Sequence, residues 1–573
     1  KKKKKIMNTD LSIKNLGEEV TLYAWINKVR DQGFITFIDL RDRSGIIQVS
    51  IKENNPCLDI VKTLKKEYVV KVKGIVKERE SKNPKLQTGD IEIDLEEIEI
   101  LNKSLTLPFE LNEELSNEDT RLKYRYLDLR REELQNNLIT RHKLELIIRN
   151  YLDSLGFIEV ETPILSKATP EGARDYLVPS RLNHGTFFAL PQSPQVYKQL
   201  LMIGGMEKYF QLARCFRDED LRSDRQPEFT QLDLEMSFAE EEDIFKVVSN
   251  LMKEIFKKLK NIELKEFTRM KYVDAIKDYG SDKPDLRFDM KIIDLKNVIN
   301  VEILKDEVNC LVLKNNADKY SRKNFDKLTE IFKTYTDNRL LNIKVEDNIV
   351  KTSFDKFISE EDKEKLRKFL NLENNDIVFI TSGKYEEVKT SLGFLRKHLA
   401  HEHDLINKDD YKFLWVTEFP MYEFNKEENR YVSAHHPFTS PKKEDIDKLL
   451  TDKENCYSRA YDLVLNGYEL LSGSVRIHDS ELQAKVFEAI GMTISDAKEK
   501  FGFFMDAFNY GAPPHAGVGI GIERLLMTLQ NTDNIRDVVA FPKTLKAIDL
   551  MSSSPSNVYD NQLVELGIEV SKK

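Results

Sequence analysis

Between Tyr209 and Phe238, polar and apolar side chains alternate in two runs that flank a charged turn. In the second run Phe229, Gln231, Asp233 and Glu235 interleave with Thr230, Leu232, Leu234 and Met236, a period of two that predicts a strand with one polar and one aliphatic face. The first run sets Gln211, Cys215 and Arg217 opposite Leu212 and Phe216, and the turn carries Glu219, Arg222 and Arg225. Taken alone, such a stretch reads as a solvated hairpin on an antiparallel sheet. The alternative, which acid, amide and arginine converging at one mouth leave open, is a site for a polyanion with an ammonium group. Nearer the N-terminus, β-prone runs at Val20–Asn27, Phe34–Asp39, Gly45–Ile51, Tyr68–Arg79 and Ile91–Leu101, with a short helix between Leu58 and Leu64, predict a five-stranded barrel of the OB type. That architecture often serves single-stranded nucleic acid.

Helical spacing of Leu144, Ile147, Ile148, Tyr151 and Leu152 predicts a helix over Arg141–Leu155, ended by Gly156 and followed by a strand Ile158–Glu161. Asp119-Thr120 is a helix start signal, and Ser193-Pro194 is another, placing Gln195, Lys198 and Gln199 on one helical face. Glu241–Leu259 is a further helical run, and Lys412–Glu423 is β-prone throughout. Asn466-Gly467 is a strong two-residue hairpin turn. Counting outward pairs Leu465 with Tyr468 and Val464 with Glu469, leaving Asp462 diagonal to Glu469 at roughly 7–8 Å. Two carboxylates at that span suit either a solvated hairpin or a Mg²⁺ ion shared with phosphates. His435 and His436 are adjacent and diverge on an extended chain, which is weak support for a metal. Gly511–Gln530 reads as loop, glycine-interrupted strand and helix, without the βαβ context of a dinucleotide fold.

The 573 residues allow about three to five domains. A net charge of −9 leaves nucleic-acid contacts to local basic patches. Four scattered cysteines with no CxxC pair argue against a disulfide framework or a zinc site and for a reducing compartment. No apolar run is long enough to span a bilayer, so no membrane partner and a cytoplasmic location are expected. Lys1–Lys5 reads as a short basic arm rather than a secretory signal.

FRDEDLRSDRQPEFTQLDLE (Phe216–Glu235) closely resembles motif 2 of the class II aminoacyl-tRNA synthetases of subclass IIb, in the aspartate-specific, bacterial-type form. GAPPHAGVGIGIERLLMTLQ resembles motif 3, the helix–strand–proline unit resembles motif 1, and PQSPQVYKQ and HHPFT resemble substrate-pocket strings. The resemblance covers nearly the whole chain. It implies an α+β multidomain protein: a basic arm over 1–15, an OB-type anticodon-binding barrel over 16–104 and a hinge over 105–135. Beyond these come an antiparallel catalytic core over 136–288 and 409–551, an inserted α/β domain over 289–408 and a C-terminal extension over 552–573. The insertion itself shows nothing that looks like chemistry and reads as a peripheral module.

The implied reaction activates L-aspartate with ATP to aspartyl-adenylate and passes it to the 3′ end of tRNA(Asp), with charging of tRNA(Asn) left open. Arg217, Glu469 and Arg524 would be catalytic. ATP would meet Arg217, Asp218, Glu219, Gln226, Phe229, Glu469, Gly521, Ile522, Glu523 and Arg524. Aspartate would meet Glu171, Gln195, Lys198, Arg217, Asp233, His435 and Arg476, with Mg²⁺ on Asp462 and Glu469. Anticodon bases would meet Arg30, Phe37, Gln48, Arg79 and Asn83, although Phe37 taken on its own reads as core. Motif 1 implies a homodimer. Two departures stand out: LLSGS (Leu470–Ser474) is less glycine-rich than usual, and Glu523 stands where aspartate is frequent. The rivals are a relative activating asparagine or lysine, an ammonia-dependent asparagine synthetase, and a non-catalytic RNA-binding paralogue. Lys198 with Arg476 disfavours a neutral amide substrate.

Overall fold

Alternation of buried and exposed positions builds a barrel from β1 (Glu19–Asp31), β2 (Ile35–Asp42), β3 (Gly45–Lys52), β4 (Val69–Glu78) and β5 (Ile91–Asn102), with α1 (Leu58–Val61) between β3 and β4. Val20, Leu22, Ala24 and Ile26 of β1 all point into its core. The barrel is closed in the order β1-β2-β3-β5-β4, with β3 and β5 parallel and the other pairs antiparallel. This computed structural model describes residues 6–111, 115–168 and 172–572, so the expected arm at Lys1–Lys5 lies outside the described residues. The rest of that expected arm is part of the barrel. Asn8 is fully buried, its side chain donating to Leu40 O and Gly45 O at 3.1 and 3.0 Å, and Leu11 joins the core.

The barrel belongs to a unit made of residues up to Ile139 together with Arg536–Ser556. After the barrel come α2 (Glu118–Lys123) and α3 (Arg125–Asp128). The cap of α2 is Asn117, whose side chain accepts from Asp119 N, so the helix starts just before the expected Asp119-Thr120 signal. Arg125 is buried and donates to the carbonyls of Arg536, Val539 and Ala540.

The second unit takes residues 140–535 and 557–573. α4 (Glu132–Ser154) enters it already helical, beginning at Glu132 rather than Arg141: Glu132 and Glu133 suit a helix N-terminus, and Leu134 and Leu138 extend the apolar spacing one i, i+4 step upstream. Then follow β6 (Ile158–Glu159), the small hairpin β7 (Leu177–Pro179) and β8 (Phe187–Ala189), α5 (Gln195–Ile203), β9 (Lys208–Phe216), β10 (Glu228–Ser237), α6 (Glu241–Lys260), β11 (Thr268–Lys271) and α7 (Tyr272–Tyr279). An α/β module comes next: β12 (Ile293–Asp294), β13 (Glu307–Leu313), α8 (Arg322–Lys333), β14 (Leu341–Glu346), β15 (Ile349–Thr352), α9 (Glu360–Phe369), β16 (Ile377–Gly383) and α10 (Tyr385–Glu402). The chain then returns to the main sheet at β17 (Phe413–Thr417), forms a separate hairpin from β18 (Tyr422–Asn425) and β19 (Arg430–Ser433), and continues through β20 (Ala460–Leu465), β21 (Tyr468–Val475), α11 (Ser480–Ala489), α12 (Ile494–Ala507), β22 (His515–Gly521), α13 (Ile522–Leu529) and α14 (Asp560–Leu566). The β-prone run after Lys412 is therefore two strands, broken where Glu418 takes a positive φ ahead of Pro420.

Eight strands form the main sheet in the order β11-β17-β20-β21-β22-β10-β9-β6, antiparallel except at its two edges, where β11–β17 and β6–β9 are parallel. α6 packs on it through Phe245, whose ring lies 4.4 Å from Trp415 and 5.2 Å from Tyr461. The module has its own antiparallel sheet, β12-β13-β16-β14-β15, and two apolar clusters. Two buried cations of α10 tie it to the preceding segment: Lys389 Nζ donates to Lys277 O at 2.9 Å and to Asn309 Oδ1 at 2.6 Å, and Arg396 makes the larger set of bonds. Arg396 of α10 donates to the carbonyls of Met290, Asp285 and Phe288 at 2.5, 2.9 and 3.0 Å and stacks on Phe288. Burial lowers its pKa to about 10.

Arg396→Leu leaves three carbonyls unpaired and is expected to cost on the order of 3 kcal/mol, read as a lower urea midpoint by circular dichroism. Arg396→Lys should not restore it, because an ammonium cannot reproduce the planar fork.

Candidate active site

The row Phe229, Gln231, Asp233 and Glu235 lies on one face of β10, and β22 runs beside it with Gln231 opposite Gly521, Asp233 opposite Gly519 and Glu235 opposite Gly517. These glycines make room for protein side chains. A Cβ on Gly517 would stand 1.8 Å from Glu235 Oε2 and 2.4 Å from Leu234 O, and one on Gly519 would stand 2.7 Å from the Gln231 amide. The sequence predicts glycines opened for a flat ligand; at 517 and 519 they are filled by the neighbouring strand. Gly521 alone stays open, a Cβ there meeting nothing closer than Arg524 Cβ at 3.7 Å.

Two cations converge on this row. Lys198 of α5 places Nζ 2.7 Å from Asp233 Oδ1, 3.3 Å from Glu235 Oε2 and 3.4 Å from Val518 O. Arg476, just past β21, donates from Nε to Glu235 Oε1 at 3.1 Å and from Nη1 to Ser474 Oγ and His436 Nε2, both at 2.8 Å. Lys198, Asp233, Glu235 and Arg476 are each no more than 2 % exposed. Burial raises Asp233 despite the opposing pull of Lys198. At Glu235 burial also pushes upward, but Arg476, Lys198 and His515 together outweigh it and hold the carboxyl below its ordinary range. Burial, then the Arg476 charge, lowers His435 to about 4 and holds His436 well below its usual value, so both rings are neutral at neutral pH. The neutral state is what allows His436 Nε2 to accept from Arg476. Lys198 and Arg476, expected at a substrate carboxylate, are each paired here with a carboxylate of the protein.

Two cavities open on the row. One, of about 330 Å³, is bordered by Glu219, Gln226, Phe229, Glu469, Gly521, Glu523 and Arg524. The other, of about 570 Å³, is bordered by Gln195, Lys198, Asp233, His435, His436 and Arg476. They share Arg217, Gln231, Ser472 and Gly519. The Arg217 guanidinium lies 5.0 Å over the Phe229 ring, and its Nη2 donates to Gln192 O at 3.4 Å. Arg524 donates to Glu469 O at 2.9 Å and pairs with Asp224 at 3.3 Å. Of the expected residues, Asp218 is exposed and borders neither cavity, Ile522 is buried in the core, and Glu171 lies outside the described residues. Gln231, Ser472 and Ser474 were not expected. The same period-two pattern that marks Asp233 marks Gln231, and Ser472 and Ser474 alternate likewise along β21.

The turn at Asn466-Gly467 has positive φ at both residues, and Leu465–Tyr468 and Val464–Glu469 pair as counted. A bulge then intervenes: Leu463 faces Leu471, leaving Leu470 extra, and Asp462 comes opposite Ser472. Asp462 still feels its partner. Burial first, and then the Glu469 charge, raise its carboxyl well above the ordinary range, and burial raises Glu469 against Arg524 and Lys283. Asp462 Oδ1 is buried with no hydrogen-bond partner. A buried, mutually repelling carboxylate pair with an orphaned oxygen fits a divalent cation that takes its remaining ligands from elsewhere. Among the described residues no third His, Cys, Asp or Glu completes a metal cluster.

On the barrel, Arg30 donates to Asp39 and Gln48 at 2.9 and 2.8 Å and lies 5.4 Å from the Phe37 ring, while Gln48 donates to Glu92 at 2.7 Å. Phe37 is half-buried and stands outside the barrel core, so the core alternative is not what the fold chose. Arg79 follows β4, and Asn83 sits in the β4–β5 loop with its side chain accepting from Lys85 N. These residues offer a guanidinium, a ring and an amide across adjacent strands.

Comparison with known proteins agrees with this arrangement. The family described as tRNA synthetases class II (D, K and N) matches residues 117–545, and the OB-fold nucleic acid binding domain matches residues 20–101. The aspartate–tRNA ligase of Macrococcus caseolyticus is 49 % identical over 97 % of this chain and 96 % of its own. That of Staphylococcus carnosus is 48 % identical over 97 % of each. Among solved structures, the asparaginyl-tRNA synthetase of Pyrococcus horikoshii, complexed with asparaginyl-adenylate, aligns over 95 % of this chain and 98 % of its own with a TM-score of 0.61 at 21 % identity. The aspartyl-tRNA synthetase of Entamoeba histolytica aligns over 94 % and 91 % with a TM-score of 0.58 at 20 % identity. At such identities these two speak for the fold.

The titrating groups give opposite pH signatures. His435 is depressed in the folded state, so its share of stability is full above about pH 6.5 and is lost as pH falls toward 4. His435→Gln should flatten the acid limb of a thermal-midpoint profile over that window. Asp462 is raised, so its cost grows as pH rises above the ordinary carboxylate range. Asp462→Asn should raise the midpoint of the metal-free protein at neutral pH, with the gain fading near pH 4.

Proposed function

The chain belongs to the class II tRNA synthetases of the aspartate, lysine and asparagine group, and from that premise we propose that it is an aspartate–tRNA ligase. The observation that carries the reading is the meeting of two chemically different cavities at Arg217. An aromatic, glycine-floored cavity suits a nucleotide, and an ion-lined one suits a small zwitterion. A guanidinium at their junction suits the phosphoryl group that must join the two. The high identity to curated aspartate–tRNA ligases along almost the full chain supports aspartate over its neighbours.

In this reading L-aspartate enters the second cavity with its ammonium toward Asp233 and its side-chain carboxylate taking up donors of Lys198 and Arg476. The cluster is already neutral as a set, so the incoming carboxylate and ammonium exchange partners with it rather than adding net charge to a dry site. ATP lies in the first cavity, its base between Phe229 and Arg524. The α-carboxylate of aspartate attacks the α-phosphorus, pyrophosphate leaves, and Arg217 stabilises the charge that builds between them. The terminal ribose hydroxyl of tRNA then attacks the adenylate carbonyl, and AMP departs. No side chain serves as a nucleophile; alignment and fixed charge do the work. Mg²⁺, when bound with ATP, neutralises phosphate charge, and Asp462 and Glu469 are the residues that would hold it.

The barrel face of Arg30, Phe37 and Gln48 reads the anticodon of tRNA(Asp), and the β1–β2 loop with Gln32 and the β4–β5 loop with Asn83 are where charging of tRNA(Asn) would be decided. A homodimer is supported by Ile158, Leu165, Leu177, Leu182 and Phe187, which expose 47–78 % of their surface around β6 to β8. The enzyme works in the cytoplasm; among the described residues no helix is long and apolar enough to cross a membrane.

Aspartate-dependent ATP–pyrophosphate exchange tests the reading, followed by charging of purified tRNA(Asp) and tRNA(Asn). Arg217→Ala should slow adenylate formation by about 10²–10³-fold with little change in folding. A rate within twofold of wild type would remove Arg217 from the reaction.

A further inference from the structure

β10 leaves its ladder with β22 at Gln231, whose partner Gly521 is the last residue of that strand. One residue earlier, the Thr230 amide faces the first turn of α13 instead of a strand. The Glu523 carboxylate fills the gap: Thr230 N donates to Oε1 at 2.8 Å and to Oε2 at 3.1 Å. Arg141 of α4 reaches the same point, its Nη2 donating to Glu523 Oε1 at 3.3 Å and to Thr230 Oγ1 at 2.9 Å. Arg214 of β9 donates to that hydroxyl at 3.1 Å. Glu523 is 2 % exposed, and burial raises its carboxyl while Arg141 and the Thr230 amide pull it back. Its oxygens are thus occupied by donors of the protein, although the residue borders the first cavity. The two neighbours of Thr230, Phe229 and Gln231, both line that cavity, and Phe229 lies beneath Arg217.

We propose that Glu523 and Arg141 form a positioning clamp for the nucleotide site, fixing the Phe229–Gln231 edge of β10 against α13 and α4 without either side chain touching substrate. The clamp rests on the nucleotide reading of the first cavity given above, and it replaces the expectation that Glu523 is itself a ligand of ATP. Three elements far apart in sequence meet at one backbone amide. A shift of α4 is passed through Arg141 to the ring on which the base stacks. Glutamate rather than aspartate at 523 supplies the reach: its carboxylate receives Thr230 N and Arg141 together.

The test is a double-variant cycle in ATP–pyrophosphate exchange with the full chain, varying ATP at saturating aspartate. Glu523→Gln keeps an acceptor for the Thr230 amide but loses the charge that holds Arg141, and Arg141→Gln cuts the same link from the other side. Each is expected to raise KM for ATP about 5- to 20-fold and to change kcat by no more than about threefold, with KM for aspartate unmoved. The double variant should be no worse than the poorer single, because both act through one link. Glu523→Asp, which keeps the charge and shortens the reach, should fall between wild type and Glu523→Gln. A raised KM for Glu523→Gln with a wild-type value for Arg141→Gln would overturn the clamp and make Glu523 a direct ligand. Multiplying effects in the double variant would overturn it too, as would lower thermal midpoints with unchanged KM. Calorimetric titration with ATP keeps the two questions apart: a wild-type protein without aspartate-dependent exchange sinks the assigned reaction, while the ATP affinities of the same variants still decide the clamp.

Discussion

Four charged side chains must leave water together for this sheet to form. Lys198, Asp233, Glu235 and Arg476 come from two separate elements, α5 and β10, and from the segment after β21, and all end in nearly dry surroundings. Any one of them left alone would cost several kcal/mol, so the position of each depends on the others. The glycines of β22 belong to the same constraint, since a methyl at 517 would occupy the space of the Glu235 carboxylate. What looks like a binding pocket is first a solution to a burial problem. In the proposed reading, a bound zwitterion would exchange partners with these charges rather than add to them.

The elements around this cluster were legible in the sequence wherever a local rule governs. The Asn466-Gly467 turn dictates its flanking pairs, the period of two in β10 dictates which residues share a face, and the barrel strands announce themselves by alternation. The misreadings arise where the local pattern thins or non-local contacts decide. The start of α4 lies at Glu132 and Glu133, and its first turns carry Leu134 and Leu138 at helical spacing before the denser apolar run from Leu144. The bulge at Leu470 shifts Asp462 opposite Ser472 because β21 must also match β22, a demand invisible from the hairpin alone. Residues 6–15 carry no strand or helix pattern, yet Asn8 caps the barrel through three hydrogen bonds to β2 and β3. Within the candidate site, chemistry was readable residue by residue, but pairing was not. Nothing in the spacing of Lys198 and Asp233 says that the first partner of the lysine is a side chain of the protein.

The inserted module is less remote than its composition suggests. Arg396 holds the carbonyls of Asp285, Phe288 and Met290, and Asp285 in turn lies against Gly467 at the tip of the hairpin that carries Glu469. A Cβ on Gly467 would sit 3.2 Å from Asp285 Cβ, so the tight turn is also a tight seat. The module contributes no side chain to either cavity, yet it fixes the loop on which the carboxylate hairpin rests.

The strand order of the main sheet has a bearing on the order of events during synthesis. β9 and β10 can pair as soon as they are made, but the other neighbour of β10 is β22, which follows the entire module and the β20–β21 hairpin. Such long-range pairing is slow to reach, and the module, whose strands all lie close together in sequence, can settle while the core waits. During that interval Asp233 and Glu235 stand without Arg476, and Thr230 without Glu523. A chain that ends before Gly521 therefore lacks part of the floor of one cavity, and one that ends before Arg476 also lacks a counter-ion of the other. The two cavities are thus completed late, by strands and segments that follow the whole module in the chain.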